Sequence, residues 1–276
     1  MRIAVLSDIH GNLPAFEAAL DHARQHKPDL MVIAGDIIIG SPDSAACWQL
    51  ARSLGCPILR GNHERYAAHF GTPAAHPDWT TERFTPLQWA VNQLTAGDRH
   101  QMEQLPRHLR LPEAPDLLIV HASLRDDHDT IAPYTSDAQL EEMFPGVQER
   151  FIVRGHNHYG QLRLWKDGWI VTASSVGLPL DSSPTAQYLL LDQTKTGWRI
   201  MHQSVPYDLD AVIRRFYDTG YLEATGTMGR LFFREVTTAS HHLVPFLRLY
   251  ARWQKEGDIT LRQAEERFFN HYGSTL

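Results

Sequence analysis

The chain has 276 residues, 43% of them hydrophobic and 21% charged, with a net charge of −6 and a sequence pI near 6.2. This is the composition of a globular protein of one or two domains, and it offers no Lys/Arg cluster with which to neutralise duplex DNA. Apolar runs such as residues 30–34 and 117–120 are strand-sized, far short of the roughly 18 residues of a membrane span, and the short run after Met1-Arg2 is no signal sequence, so a cytoplasmic protein without membrane association is expected.

In chain order, residues 2–6 read as a buried strand. Asn12 can cap the helix that follows, with Pro14 in its first turn and Phe16, Ala19, Leu20 and Ala23 recurring at helical spacing. A strand at 30–34 leads to a helix over about 44–54, and a third strand at 57–59 ends at Arg60-Gly61-Asn62-His63. This alternation predicts parallel pairing with right-handed crossovers. Cys47 and Cys56 lie on either side of the apparent helix and are expected as buried thiols, not a disulfide.

Residues 71–112 carry several prolines and two helical stretches, near 85–95 and 97–105, and read as an excursion over one edge of the core. Strands at 117–120 and 151–154 bracket a short helix near 137–144. Two hairpins follow: 161–165 with 169–173 across Lys166-Asp167-Gly168, and 187–191 with 198–202 across 194–197. A parallel-rich half followed by an antiparallel-rich half predicts an α/β fold of two packed sheets with helices outside, over residues 1–208. From 209 to 276 the pattern is helical, with Val212, Ile213, Phe216 and Tyr217 on one face. This extension reads as an appended lobe or as a contact for a homo-oligomer.

The chemistry-bearing residues gather at predicted strand ends: Asp8-Ile9-His10, Gly35-Asp36, Gly61-Asn62-His63-Glu64, His121, and Gly155-His156-Asn157-His158. Open α/β sheets bind ligands outside the carboxyl ends of their strands, so five strands aim carboxylates, imidazoles and a carboxamide at one rim. An isolated Asp-x-His can be a helix cap and an isolated Gly-Asp a turn, but the set in this order has no such explanation. Mixed oxygen and nitrogen ligands favour Mn, Fe or Zn over an all-oxygen Mg or Ca site. They are more than one ion needs, and they suit two divalent transition-metal ions sharing a carboxylate. The glycines before Asp36, Asn62 and His156 let the backbone approach a neighbouring strand. Of the 16 histidines, His22, His26, His69, His100, His108, His202, His241 and His242 read as ordinary polar residues.

This ordered motif set resembles the calcineurin-like metallophosphoesterases, most closely their small bacterial and archaeal phosphodiesterase branch, over about residues 1–208. The resemblance implies Asp8, His10, Asp36 and His158 on a first metal, and Asp36 as a bridge to a second that also takes Asn62, His121 and His156, with Mn favoured. It implies a small phosphoester substrate, with His63 off the metals as acid or charge stabiliser, and Arg125 as a phosphate contact or a surface ion-pair partner. The implied activity is hydrolysis of a phosphodiester by metal-activated water. Alternatives are a phosphomonoesterase, a nucleotide pyrophosphatase, or a metal-holding scaffold for protein binding. Ile37-Ile38-Ile39-Gly40 after Asp36, in place of a second Asp and an Arg, argues against protein phosphatase activity. Thr172-Ala173-Ser174-Ser175 and Leu180 also depart from the small phosphodiesterases and put the pocket in doubt.

Overall fold

A computed structural model of the chain describes residues 1–272. Two mixed sheets pack face to face. The first has the order β2 (Leu30–Ile33), β1 (Arg2–Leu6), β8 (Ala186–Thr194), β9 (Gly197–Val205). The second has the order β3 (His108–Leu111), β4 (Ala114–Val120), β5 (Phe151–Arg154), β7 (Gly168–Ala173), β6 (Gly160–Trp165).

The alternation of side chains along a strand explains the layering. In β1, Ile3 and Val5 join Leu117, Ile119, Val153 and Val171 between the sheets. Ala4 and Leu6 face the other way, onto Phe16 and Leu20 of α1 (Leu13–Gln25) and Trp48 of α2 (Ser44–Ser53). On the far side, Leu118, Ile152 and Ile170 pack under Leu140 and Phe144, at α6 (Asp137–Met143). The expected α/β sandwich is therefore present, with Asn12 capping α1 through Ala15 N at 3.2 Å.

Several local expectations are corrected. Parallel and antiparallel pairs are not divided between the halves of the chain. β1 pairs parallel with β2 but antiparallel with β8, and β5 pairs parallel with both β4 and β7. Residues 57–59 form only an isolated bridge, Ile33 to Ile58, because the chain turns at once into α3 (Asn62–His69). β3 was hidden in the supposed excursion, its polar His108 and Arg110 alternating with Leu109 and Leu111 on an edge strand. Cys47 lies within α2, and Cys56 is only half-buried, although both are free thiols as expected.

Beyond residue 208 the described elements are helices: α7 (Leu209–Asp218), α8 (Tyr221–Thr238), α9 (Leu243–Glu256) and α10 (Leu261–Tyr272). Val212 and Phe216 are buried with Leu178 of the sandwich, whereas Tyr217, expected on the same face, is exposed. Met228, Phe246, Trp253 and Phe268 form a separate core among the last three helices. Arg215 is paired with Asp43, and Tyr221 donates to Gly40 O at 2.9 Å, so the helices are tied to the loop that follows β2. Among the described residues, no helix is long and apolar enough to cross a membrane.

Candidate metal centre

The strand-end loops converge as the sequence predicts, and unusual backbone geometry makes them do so. Asp8, His10, Asp36, His156 and His158 all have φ between 53° and 70°. Non-glycine residues seldom adopt this left-handed region, and clusters of them mark sites where packing holds a costly conformation in place. The loops are stitched together by Asp8 N to Gly35 O at 3.0 Å, His10 N to Asp36 O at 3.0 Å, and Gly155 N to His121 O at 2.9 Å. Two glycines make the approach possible: a Cβ on Gly61 would collide with the Asp36 carboxylate, and one on Gly155 with that of Asp8.

Two groups of acceptors result. In the first, His10 Nδ1 bonds Ile39 O at 2.8 Å, which fixes the proton on Nδ1 and leaves a lone pair on Nε2. That Nε2 lies 3.0 Å from His158 Nε2, which is itself 3.3 Å from Asp8 Oδ1. In the second, His121 Nδ1 donates to Ala34 O at 2.8 Å and His156 Nε2 to His128 O at 3.1 Å, so His121 Nε2 and His156 Nδ1 present lone pairs. One end of the Asn62 carboxamide lies 3.1 Å from His121 Nε2 and 3.2 Å from both Asp36 Oδ2 and His156 Nδ1. Asp36 Oδ2 is 3.3 Å from His121 Nε2.

Inward-facing lone pairs at such spacing call for a cation. Ligands bound at about 2.1 Å and at right angles stand about 3 Å apart. Neither Asp8 nor Asp36, both buried, bonds a Lys or Arg side chain among the described residues. The residues present therefore fit divalent metals, with Asn62 Oδ1 turned into the second group; without a cation, its amide NH₂ would serve the same acceptors.

The electrostatics agree. Burial alone would raise the Asp8 and Asp36 carboxyls, but the surrounding imidazoles hold both below the ordinary carboxylate range. Burial opposes the charge on His121, yet Asp36 lifts it to about 10, so a proton competes with a cation for the Nε2 lone pair. Burial and that charged neighbour press His156 down to about 3. Metal binding must then expel protons.

His63 lies off both groups. Its N–H donates to Asp36 Oδ1 at 2.9 Å, its Nδ1 bonds Ile38 O at 3.1 Å, and its Nε2 is 4.0 Å from Asp36 Oδ2 and 3.3 Å from the other end of the Asn62 carboxamide. Burial pushes it down to about 4 against the pull of Asp36. Arg125 is different. Its guanidinium is paired with Asp129 at 2.6 Å and Glu142 at 3.2 Å, the arrangement of a surface ion-pair residue.

Other residues serve the site without having been assigned a role from sequence. Glu64 accepts from the N–H groups of Asp36, Ile37 and Gly61 at 2.7–2.9 Å, locking the β2 loop to the start of α3. It is fully buried, and burial together with Asp36 raises it to about 7. Tyr66, one turn after Asn62, stacks on His63 at 5.6 Å and bonds His128. Arg154 is buried and holds Ala122 O and Asn157 Oδ1, both at 2.7 Å. The position of Glu64 three residues after Gly61 was the available signal for a helix start; nothing local announced Tyr66 or His128.

Comparison with known proteins agrees with this geometry. The model of the calcineurin-like phosphoesterase family matches residues 1–160. A metallophosphoesterase from Sphaerobacter thermophilus has 24% identity and a TM-score of 0.65, covering 84% of this chain and 100% of that one. A hypothetical protein from Pyrococcus horikoshii, at 20% identity, has a TM-score of 0.70 over 84% of this chain and 97% of its own. A symmetrical bis(5'-nucleosyl)-tetraphosphatase from Aeromonas salmonicida is 27% identical over 170 residues, 59% of this chain and 58% of that protein. Small bacterial and archaeal folds thus surround a chain that belongs to the calcineurin-like phosphoesterase family.

Proposed function

We infer that the chain hydrolyses a phosphodiester at a centre of two divalent cations, the first held by Asp8, His10, Asp36 and His158 and the second by Asp36, Asn62, His121 and His156, Mn being the favoured metal. The observation that carries this reading is the pair of adjacent groups of potential metal ligands with the His63 ring beside them. When bound, such ions polarise phosphate oxygens and activate water at neutral pH. The residues of the chain do the rest. Glu64 fixes the Asp36 backbone through its N–H, and the backbone N–H of His63 fixes the Asp36 carboxylate. The Ile38 and Ile39 carbonyls set the tautomers of His63 and His10. His63 Nε2, with no metal to hold, would carry a proton to the leaving oxygen once an anionic phosphate beside it raises the ring from its low value in the free protein.

A diester is favoured over a monoester by charge. Arg65, Arg125 and Arg154 are engaged by Asp127, Asp129 and backbone or Asn157 oxygens respectively. With these three guanidiniums taken up, a monoanionic diester is easier to accommodate than a dianionic monoester. The tetraphosphatase relative supports a second reading, hydrolysis of a nucleotide pyrophosphate bond. The test is a panel of aryl phosphodiester, aryl monoester and dinucleoside polyphosphate with Mn²⁺-loaded and chelated protein. We expect metal-dependent turnover, fastest on the diester. Fastest turnover of the polyphosphate would establish the second reading, and inactivity on all with full metal content would leave a binding scaffold.

A further inference from the structure

Where the C-terminal helices meet the sandwich, a cavity of about 140 Å³ opens beside the metal centre. His63 and Tyr66 form the wall nearest the centre. Leu87, from α4 (Thr85–Gln93), Phe232 of α8 and Leu247 of α9 line the apolar remainder, and Arg83 stands at the edge. We propose that this cavity receives the organic group of the leaving alcohol and that the group is a single aromatic ring.

Three observations support this occupant. His63 borders both the candidate ligand groups and the cavity, so whatever is attached to an oxygen that His63 protonates is directed into it. Size sets the limit: an apolar cavity of roughly 150 Å³ takes one benzene-sized guest. A nucleoside seated wholly inside exceeds that volume, and ribose hydroxyls turned towards Leu87, Phe232 and Leu247 would lack partners there. Arg83 is exposed and has no ion pair among the described residues, and a guanidinium at the mouth can lie over a ring face as it cannot over an alkyl chain. The cavity exists because α8 docks on α4 and α9 on α8, so this specificity belongs to the C-terminal helices.

The proposal rests on the phosphoesterase reading, and the experiment separates the two. Full-length Mn²⁺-loaded protein is given benzyl and methyl phosphate esters, whose alcohols have nearly equal basicity, as monoesters and as symmetrical diesters. Benzylphosphonate and methylphosphonate are compared as inhibitors. Burial of the ring predicts a benzyl preference of about 30-fold or more in kcat/KM, and a similar ratio of inhibition constants. Leu247 is half-buried, so Leu247→Trp can be accommodated; it fills the cavity and is expected to cut the benzyl-to-methyl ratio at least about fivefold. Equal turnover with equal inhibition would overturn the cavity assignment and leave the phosphoesterase intact. A high ratio untouched by Leu247→Trp in folded, metal-loaded protein would also overturn it, by placing the ring elsewhere. Absence of turnover on every ester would overturn the phosphoesterase reading itself, and the wild-type phosphonate ratio would still decide the cavity.

Discussion

The rim of the sandwich and the C-terminal helices reach the same site by different physical routes. At the rim, polar side chains stand at the ends of buried strands, close in sequence to the hydrophobic runs that place them, and left-handed backbone at Asp8, Asp36 and His156 aims them inward. The helices contribute no charged ligand. They offer apolar faces, tied down by Tyr221 on Gly40 and Thr85 Oγ1 on Thr225 O at 2.7 Å, and shape the space beside His63. Chemistry is therefore concentrated in one region and selectivity in the other. Substitutions at the rim should change what the protein can do; those in the helices should change stability and choice of substrate.

The sharpest break in that division comes from Asp36. Asp36→Asn keeps the shape but removes the negative charge between two proposed cations. Elemental analysis should show loss of at least one ion per chain, and turnover should all but vanish. Asp181→Asn, whose exposed carboxylate bonds Gln187 and Ser183, is expected to do little. An Asp36→Asn protein with full metal content and normal rate would mean that the bridge lies elsewhere.

His63→Asn should come next. Metal content should persist, and the rate on alkyl esters should fall by about 10²–10⁴-fold, with a much smaller loss on a p-nitrophenyl ester that leaves unprotonated. Equal losses on both would assign His63 to charge stabilisation, and lost metal would make it a ligand.

How much of this was legible in the sequence follows the same division. β1, both hairpins and the Asn12 cap were readable because each is a local pattern closed within a few residues. The candidate ligands that follow β1, β2, β4 and β5 were readable because those strands were. α3 was not: Asn62-His63-Glu64 is poor helix-forming sequence, and the helix starts there because Glu64 returns to Gly61 N at 2.9 Å. Tyr66 and His128 meet across 62 residues, and Arg125 is claimed by Glu142 on α6. Such pairings depend on how finished elements dock, and no spacing rule announces them. The apolar cavity is the extreme case, because its walls come from α3, α4, α8 and α9 at once.

Within the helices, Glu235 offers a test of stability alone. It is buried on α8, and its Oε1 accepts both His242 N at 2.9 Å and Leu243 N at 2.8 Å, at the start of α9. Burial raises its carboxyl to about 7, against an ordinary value of 4.5, despite those two donors. The folded state thus binds the proton more tightly than the unfolded chain. Stability from this group is greatest below pH 4.5, falls as the pH rises, and is lost once the pH passes about 7. Glu235→Gln keeps the accepting oxygen and cannot ionise. From pH 5 to pH 8 the variant should gain on the parent by up to roughly 3 kcal/mol in urea unfolding. A constant difference would mean that the carboxylate ionises there without penalty.

The smallest expected effect is at the tether itself. The Tyr221 ring is buried edge-to-face against Trp89 at 5.4 Å and Phe216 at 5.2 Å, contacts that a phenylalanine keeps. Only the hydroxyl reaches Gly40 O, in the loop between Asp36 and α2. Tyr221→Phe deletes one neutral buried hydrogen bond and leaves a carbonyl without that donor, a cost of about 1–2 kcal/mol, or a drop of several degrees in Tm for a chain of this size. Because Ile39 O also fixes the His10 tautomer, the same loop serves the first ligand group. If the helices only shape space, calorimetry should register the loss while kcat on a methyl ester stays within about twofold. A tenfold fall in kcat at unchanged Tm would show that the tether instead sets the position of His10, and the separation of chemistry from selectivity would fail at that loop.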